Sequence, residues 1–475
     1  MIIGLLALNA CQHSATDYTG QYPDAVRPIF ENKCATAGCH NEKSSSYASN
    51  LRLDTWQAMF KGSSSGAVVV PYNAANSSLC YFINTDSNLG PVLLPRMPVN
   101  QAPLSVSEYT AIKNWIESGA PDKAGNIPFS NQSTTRQKYY LSQQGCDMIA
   151  VIDAATQLIM RYIPVGNQAN IEVPHCVRFD PQGNYAYVSF TQSPYLQKID
   201  AQHDKLLNEL YLGSGSWNLL HVSEDGKQGL VSDYSNINGK VVMVDLEKMA
   251  LLGSFEDLAS PHGLASNPTF DTFWVTAQFG NTIYRITKKG NIKKISIDAH
   301  EPNYNANTLD PHEIIFSPDR SKYFVSCQAS NEVRVLDAHS NALLKVIPVG
   351  TFPQEFAISL KQPYLFLTCQ NELSTLFPSF VGSVYVINYN TLELVKKIEG
   401  PFYELHGISV DDENANVLVA SRNIASSGPP PHHTSVCGGR NGYYSFIDLN
   451  TLSITNTRRY EATVDPYSSD IRFKK

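Results

Sequence analysis

From about residue 137 to residue 475 the chain repeats itself, and this repeat limits the possible fold more than any other feature. Seven times an apolar alternation ends in an acid or its substitute: Ile149-Ala-Val-Ile-Asp153, Leu196-Gln-Lys-Ile-Asp200, Val241-Val-Met-Val-Asp245, Ile283-Tyr-Arg-Ile-Thr287, Val333-Arg-Val-Leu-Asp337, Val384-Tyr-Val-Ile-Asn388 and Tyr444-Ser-Phe-Ile-Asp448. Each reads as a half-buried strand followed by a turn. A second marker precedes each of these, an apolar strand closing on a small residue at Ser142, Ser189, Ser232, Thr276, Ser326, Thr368 and Ala420. Two independent markers therefore count seven. Units of roughly 40 to 60 residues with four strands each have the period of propeller blades, with a solenoid as the alternative.

The first unit lacks an innermost strand, whereas the segment Ser469-Asp-Ile-Arg-Phe473 has the sequence of one and aligns with His175-Cys-Val-Arg-Phe179. The C-terminal strand is therefore expected to complete the first blade and lock the chain ends together. The motifs Tyr187-Val-Ser-Phe, Phe273-Trp-Val-Thr-Ala and Tyr323-Phe-Val-Ser-Cys resemble those of bacterial YVTN-type seven-bladed propellers. That resemblance covers residues 137–475 and implies a fold far more than a function.

A functional signal lies at the first residue of each innermost strand, where the series reads His175, Asn218, His262, His312, Gln354, His406 and Ser469. Four of the chain's twelve histidines thus share one register and should converge at one mouth of the central channel. His221 falls three residues out of register and reads as a packed or solvent-facing side chain. Meander geometry sends the long insertions to the same face: Asn423 to Gly442 with His432, His433 and Cys437, Asn371 to Gly382, and Ile297 to Asp310 with His300. Neutral imidazoles under a thiol and further histidines suit copper, zinc or iron, or a planar cofactor such as a second haem. The plain alternatives are hydrogen bonding to water and neighbouring loops, or direct binding of a small-molecule substrate. The Pro-His settings are similar to those of nitrous oxide reductase, and the domain order to that of the cytochrome cd-type nitrite reductases. The dicopper domain of the former and the eight-bladed ring of the latter have no counterpart here.

Ahead of the repeat stands Cys34-Ala-Thr-Ala-Gly-Cys39-His40. Two thiols followed at once by a histidine are what covalent attachment of a c-type haem requires, with His40 as the proximal iron ligand. Four residues between the cysteines also suit a metal-binding or disulfide pair. Downstream context favours haem. Met97, in Leu94-Pro-Arg-Met97-Pro-Val, precedes a helix opened by a Ser105/Glu108 capping box, striped by Ile112, Trp115 and Ile116, and ended at Gly119. A thioether from Met97 opposite imidazole would complete a low-spin iron. The Cys/Cys/His motif, the Met97-Pro98 pair and the Trp115-Ile116-Glu-Ser-Gly-Ala ending resemble the small monohaem cytochrome c domains of bacterial envelope proteins, apart from the cysteine spacing.

The expected architecture is multidomain: residues 1–19 as signal and tether, a small all-α cytochrome c-like domain over 20–125, a linker over 126–136, and an all-β seven-bladed propeller over 137–475. The apolar run Ile2 to Ala10 leading to Leu8-Asn-Ala-Cys11 resembles a lipobox, which implies lipid on Cys11 and a membrane association through that anchor alone. A net charge of -7 argues against nucleic acid as a partner. The expected function is a periplasmic or envelope c-type cytochrome, an outer-membrane lipoprotein, moving electrons between a redox partner protein and the histidine-lined site as an oxidoreductase. The alternative is a non-catalytic electron-transfer lipoprotein whose propeller is a docking platform.

Overall fold

The computed structural model describes residues 20–130, 135–167, 169–234, 238–305, 307–422, 442–455 and 459–472. Cys11, His432, His433 and Cys437 lie outside the described residues.

Seven antiparallel sheets follow one another around a channel. Blade 1 comprises Lys138–Gln143, Met148–Asp153 and Ile159–Pro164, and its innermost position is filled by Pro466–Arg472 from the far end of the chain. Blades 2 to 7 have the innermost strands Pro174–Phe179, Trp217–Val222, Pro261–Ser266, Pro311–Phe316, Pro353–Ile358 and Leu405–Asp411. Each of these leads into a meander whose last strand is outermost.

The ring closes as expected, but in a different register. Gln143 pairs with Pro466 and Leu141 with Ser469, as Phe190 pairs with Pro174 and Val188 with Val177 in blade 2. Tyr467, and not Ser469, is therefore the counterpart of His175.

The small residues that end the second strands have a physical reason. Hydroxyls of Ser189, Ser232, Thr276, Ser326 and Thr368 donate to the backbone carbonyls of Asn218, His262, His312, Gln354 and His406 in the next blade, at 2.7–3.3 Å. Each such bond satisfies a buried carbonyl at a blade seam. Ala420 has no hydroxyl to offer there.

Strand entry is equally regular. The residue two before the channel position is left-handed at Val173, Ser260, Asp310, Phe352, Glu404 and Asp465, with φ between 40° and 60°. Non-glycine residues rarely sit there. The twist turns the chain into the channel, and proline follows in five of the six cases. Pairing then skips a residue or two, for example between Pro311 and Ile314, so two consecutive side chains escape the usual strand alternation. Gly263 and Gly407 occupy the second of these positions. A Cβ would lie 2.5 Å from the His312 carbonyl oxygen at Gly263, and 2.2 Å from that of Tyr467 at Gly407.

The N-terminal domain is small and helical, with the contiguous run Arg27–Ile29 and Phe30–Cys34, Ser78–Ile83 and Val106–Glu117 as its longer helices. Ser105 and Glu108 form the expected capping box. The core gathers Tyr22, Phe30, Ile112, Trp115 and Ile116, with Tyr22 stacked on Phe30 at 4.6 Å and Trp115 edge-on to Phe30 at 5.7 Å.

This domain docks on the rim of blades 1 and 7. Ala67 and Val70 enter one buried cluster with Leu158, Ile159, Tyr460 and Ala462, and the Glu461 amide donates to the Ser65 carbonyl at 2.9 Å. The guanidinium of Arg161 lies over the Tyr72 ring. Docking explains why the outer strand of blade 1 is mostly buried while Lys205–Tyr211, the corresponding strand of blade 2, is almost wholly exposed.

Candidate haem site and propeller channel

Cys34 ends a widened helical turn over Phe30–Cys34, and the chain folds back so that the His40 amide donates to the Cys34 carbonyl at 3.1 Å. The Asn41 side chain donates to the carbonyls of Ala35 and Thr36, which holds the four-residue spacer as a compact loop. Lys33 reaches Glu108 at 2.8 Å and ties the motif to the capping box. Burial, with the neighbouring Cys39, pushes the Cys34 thiol up to about 12, and burial also lowers the His40 pKa, favouring a neutral imidazole. Met97 is half-buried against the same core, with its amide donating to the Phe82 carbonyl at 2.8 Å.

The donor set fits a c-type haem on three observations. Cys34 and Cys39 are both free thiols. The Nδ1 of His40 is buried without a hydrogen-bond partner. Beside Met97, Val92, Leu94 and Val99 expose apolar surface, Leu94 to 84%, that a large planar apolar group would cover.

At the propeller mouth the four in-register histidines do come together. Blade order sets the sequence around the channel as His175, Asn218, His262, His312, Gln354, His406 and Tyr467. The His262 and His312 rings lie 3.9 Å apart, His406 stacks on Tyr467 at 3.6 Å, and Tyr467 meets His175 at 4.4 Å. His262, His312 and His406 are only 5%, 3% and 1% exposed. Nδ1 of His262 faces the His312 carbonyl oxygen at 3.1 Å, and Nδ1 of His406 approaches Glu355 at 3.2 Å. The result is a plug of packed rings. Among the described residues, no three His, Cys, Asp or Glu side chains are grouped to hold one metal ion.

A chain of amides that the sequence had not suggested borders the plug: Gln278 donates to Gln328, Gln328 to Gln354 and Gln354 to Gln370, at 2.6–2.9 Å. Arg422 holds Asp465 through two bonds and lies over the Tyr467 ring. His221 is a packed histidine, with Nε2 2.9 Å from the Ser266 hydroxyl. His300 is exposed beside Asp298. Cys327 and Cys369 are free buried thiols rather than a disulfide. Asn371 to Gly382, read as a loop insertion, is partly an extension of the strands Tyr364–Leu373 and Val381–Asn388.

Burial disfavours charge on every histidine of the plug. It lowers His262 to about 4. Burial and then the neighbouring imidazoles push His175 and His312 well down, and burial lowers His406 despite the opposing pull of Glu355. As pH falls below about 6.5, the unfolded chain takes protons that the folded plug refuses, so stability is lost between 6.5 and 4. For His262 alone the loss is on the order of 3 kcal/mol across that window. His262→Gln should therefore flatten the dependence of the urea midpoint on pH between 7 and 4.5; a dependence as steep as that of the wild type would count against a neutral buried plug.

A model of the planctomycete cytochrome C family matches residues 37–91, a stretch that holds Cys39 and His40 and stops short of Met97. No curated protein sequence matches the chain. Among solved structures, hydrazine synthase of Kuenenia stuttgartiensis is similar with a TM-score of 0.50 and 14% identity, over 64% of this chain and 92% of that one. A functionally unknown protein from Desulfotomaculum acetoxidans DSM 771 is similar with a TM-score of 0.55 and 13% identity, over 71% and 99%. At such identities the likeness concerns the fold alone. The family match implies one c-type haem and an electron-transfer role for the N-terminal domain. The chain thus joins a cytochrome c domain of planctomycete type to a seven-bladed β-propeller.

Proposed function

We propose that the protein is an electron-transfer c-type cytochrome of the bacterial envelope, tethered to the membrane by lipid on Cys11 and exchanging single electrons with a partner redox protein. The observation that carries this reading is that Cys34 and Met97 share one small core, with the His40 amide folded back onto the Cys34 carbonyl. A bound haem supplies a one-electron iron couple. Cys34 and Cys39 would tether it and His40 and Met97 would hold its iron, a donor set suited to passing electrons rather than to binding substrate. Lys33 and Glu108 hold the motif against the helix that follows Met97. Among the described residues no helix is long and apolar enough to cross a membrane. Blades 1 and 7 fix the orientation of the haem domain, and the propeller serves as a platform for the partner.

A second reading, an oxidoreductase acting on a small molecule at the histidine mouth, draws on the Nδ1 atoms of His175 and His312, which are buried and make no well-formed hydrogen bond. Buried polar atoms left so are commonly met by bound water or ligand. Replacing His262 and His312 together by Gln separates the two. Electron transfer from the haem alone expects an unchanged haem spectrum, midpoint potential and rate of reduction by a small soluble c-type cytochrome. Loss of a turnover activity or of a stoichiometric second metal, with the haem spectrum intact, would overturn it in favour of the mouth.

A further inference from the structure

Below the plug the channel widens into a cavity of about 550 Å³ that opens on the opposite face, among the turns that follow the innermost strands. That volume is typical of small-molecule sites. Its wall is largely aliphatic, formed by residues such as Leu220, Leu264, Ile314, Phe356 and Ile408. Its polar lining includes Arg178, Glu313, Ser469 and Asp470 and, toward the rim, Glu224, Arg320 and Asp412.

The charges there are unevenly answered. Asp470 accepts the amides of Phe179 and Ile471 at 2.8 and 2.9 Å. Glu355 faces His406. At the rim Arg320 is bound to Glu224, and Asp412 is bound to the hydroxyl of Ser359 and the amide of Leu360. Arg178 differs from all of these. Its Nη1 donates to the Val177 carbonyl at 2.8 Å and the Ser468 hydroxyl at 3.0 Å, yet among the described residues no carboxylate lies within 4 Å of the guanidinium.

We propose that this cavity binds a small organic monocarboxylate, its carboxylate on Arg178 and its apolar body against the aliphatic wall. A planar guanidinium is suited to bidentate contact with a carboxylate. Glu313 does not oppose the anion at neutral pH: burial, and then the nearby Glu355, raise its carboxyl to about 8, so it is mostly protonated and can donate a hydrogen bond. Arg178 itself keeps its charge. Burial opposes it, but at neutral pH the nearby Glu355 and Asp470 favour the cation. The occupant is thus a molecule with one anionic end and an uncharged remainder, held at the mouth opposite the histidines.

The test uses the full-length haem-loaded protein and calorimetric titration with acetate, hexanoate and benzoate, with benzyl alcohol and benzylamine as uncharged and cationic controls. The expected result is saturable binding of hexanoate or benzoate at one per chain, at least tenfold tighter than either control, weakened at least tenfold by Arg178→Gln and retained in Glu313→Gln. Should Arg178→Gln not fold, phenylglyoxal labelling of the wild type replaces it: a bound carboxylate should protect Arg178 while leaving Arg320 reactive. Preference for benzylamine, binding undiminished in Arg178→Gln, absence of protection, or no saturable binding of any of the three acids would each overturn the proposal.

Discussion

Met97→Ala should leave the haem covalently attached while opening its sixth position, so that the ferrous protein binds carbon monoxide and the midpoint potential falls. The fall should be on the order of 0.1 V, within the roughly 0.8 V that axial ligation commands. The direction follows from ligand softness: a thioether favours ferrous iron more than water or a second nitrogen donor does. Met97 is placed for this role because its amide is fixed to Phe82 and its side chain packs on the core that also holds Cys34. Cys39→Ala would act differently, removing one of the two covalent tethers and not the axial thioether. A variant at Met97 whose optical spectrum, potential and carbon monoxide reactivity match the wild type would mean that another side chain fills the sixth position.

A chain truncated after Val464 should lose the folded propeller. Pro466–Arg472 is the innermost strand of blade 1, and without it the strand Lys138–Gln143 loses its neighbour on the channel side. Burial of Tyr467 and Ile471 contributes roughly 3 to 6 kcal/mol, while net stabilities of whole domains are only about 5 to 15 kcal/mol. Arg472 adds contacts to the carbonyls of Gly183 and Arg136, across the seam to blade 2 and the linker. Near-ultraviolet circular dichroism and limited proteolysis should report loss of tertiary packing. A truncated chain with the wild-type signal and protease resistance would show that six blades and an open seventh suffice.

Much of the fold was legible because a blade is stabilised by its neighbours, so each unit must repeat the same side-chain solutions. The small residue ending each second strand is one such solution, and its hydroxyl bond to the next blade shows why Ser and Thr dominate there. The error in the closing strand has an equally local cause. Ser469-Asp-Ile-Arg-Phe473 resembles His175-Cys-Val-Arg-Phe179 as a string, but strand entry is set by the left-handed residue and the proline that follows it. Asp465-Pro466, read beside Ser260-Pro261 and Asp310-Pro311, would have placed Tyr467 correctly.

The histidine register was readable for the same reason. What the rings do once assembled was not. Whether four imidazoles converge on an ion or stack into a plug depends on side-chain directions that spacing does not encode. The tilted packing of His262 against His312 and the stacking of His406 on Tyr467 are packing outcomes. Glu313 and Glu355 escaped notice because the pairing irregularity puts them beside His312 and Gln354, against the alternation that strand patterns assume. Arg178 sits in a strand as an ordinary-looking cation, and only the assembled ring leaves it, among the described residues, without a carboxylate in contact.

One haem, covalently bound on Cys34 and Cys39, is the proposed redox centre of the protein. A pyridine haemochrome spectrum combined with elemental analysis of the purified protein tests it most directly. One c-type haem and one iron per chain, without stoichiometric copper or zinc, is the expected result; a haem extractable by acid acetone, two irons, or iron with an equal amount of copper would contradict it.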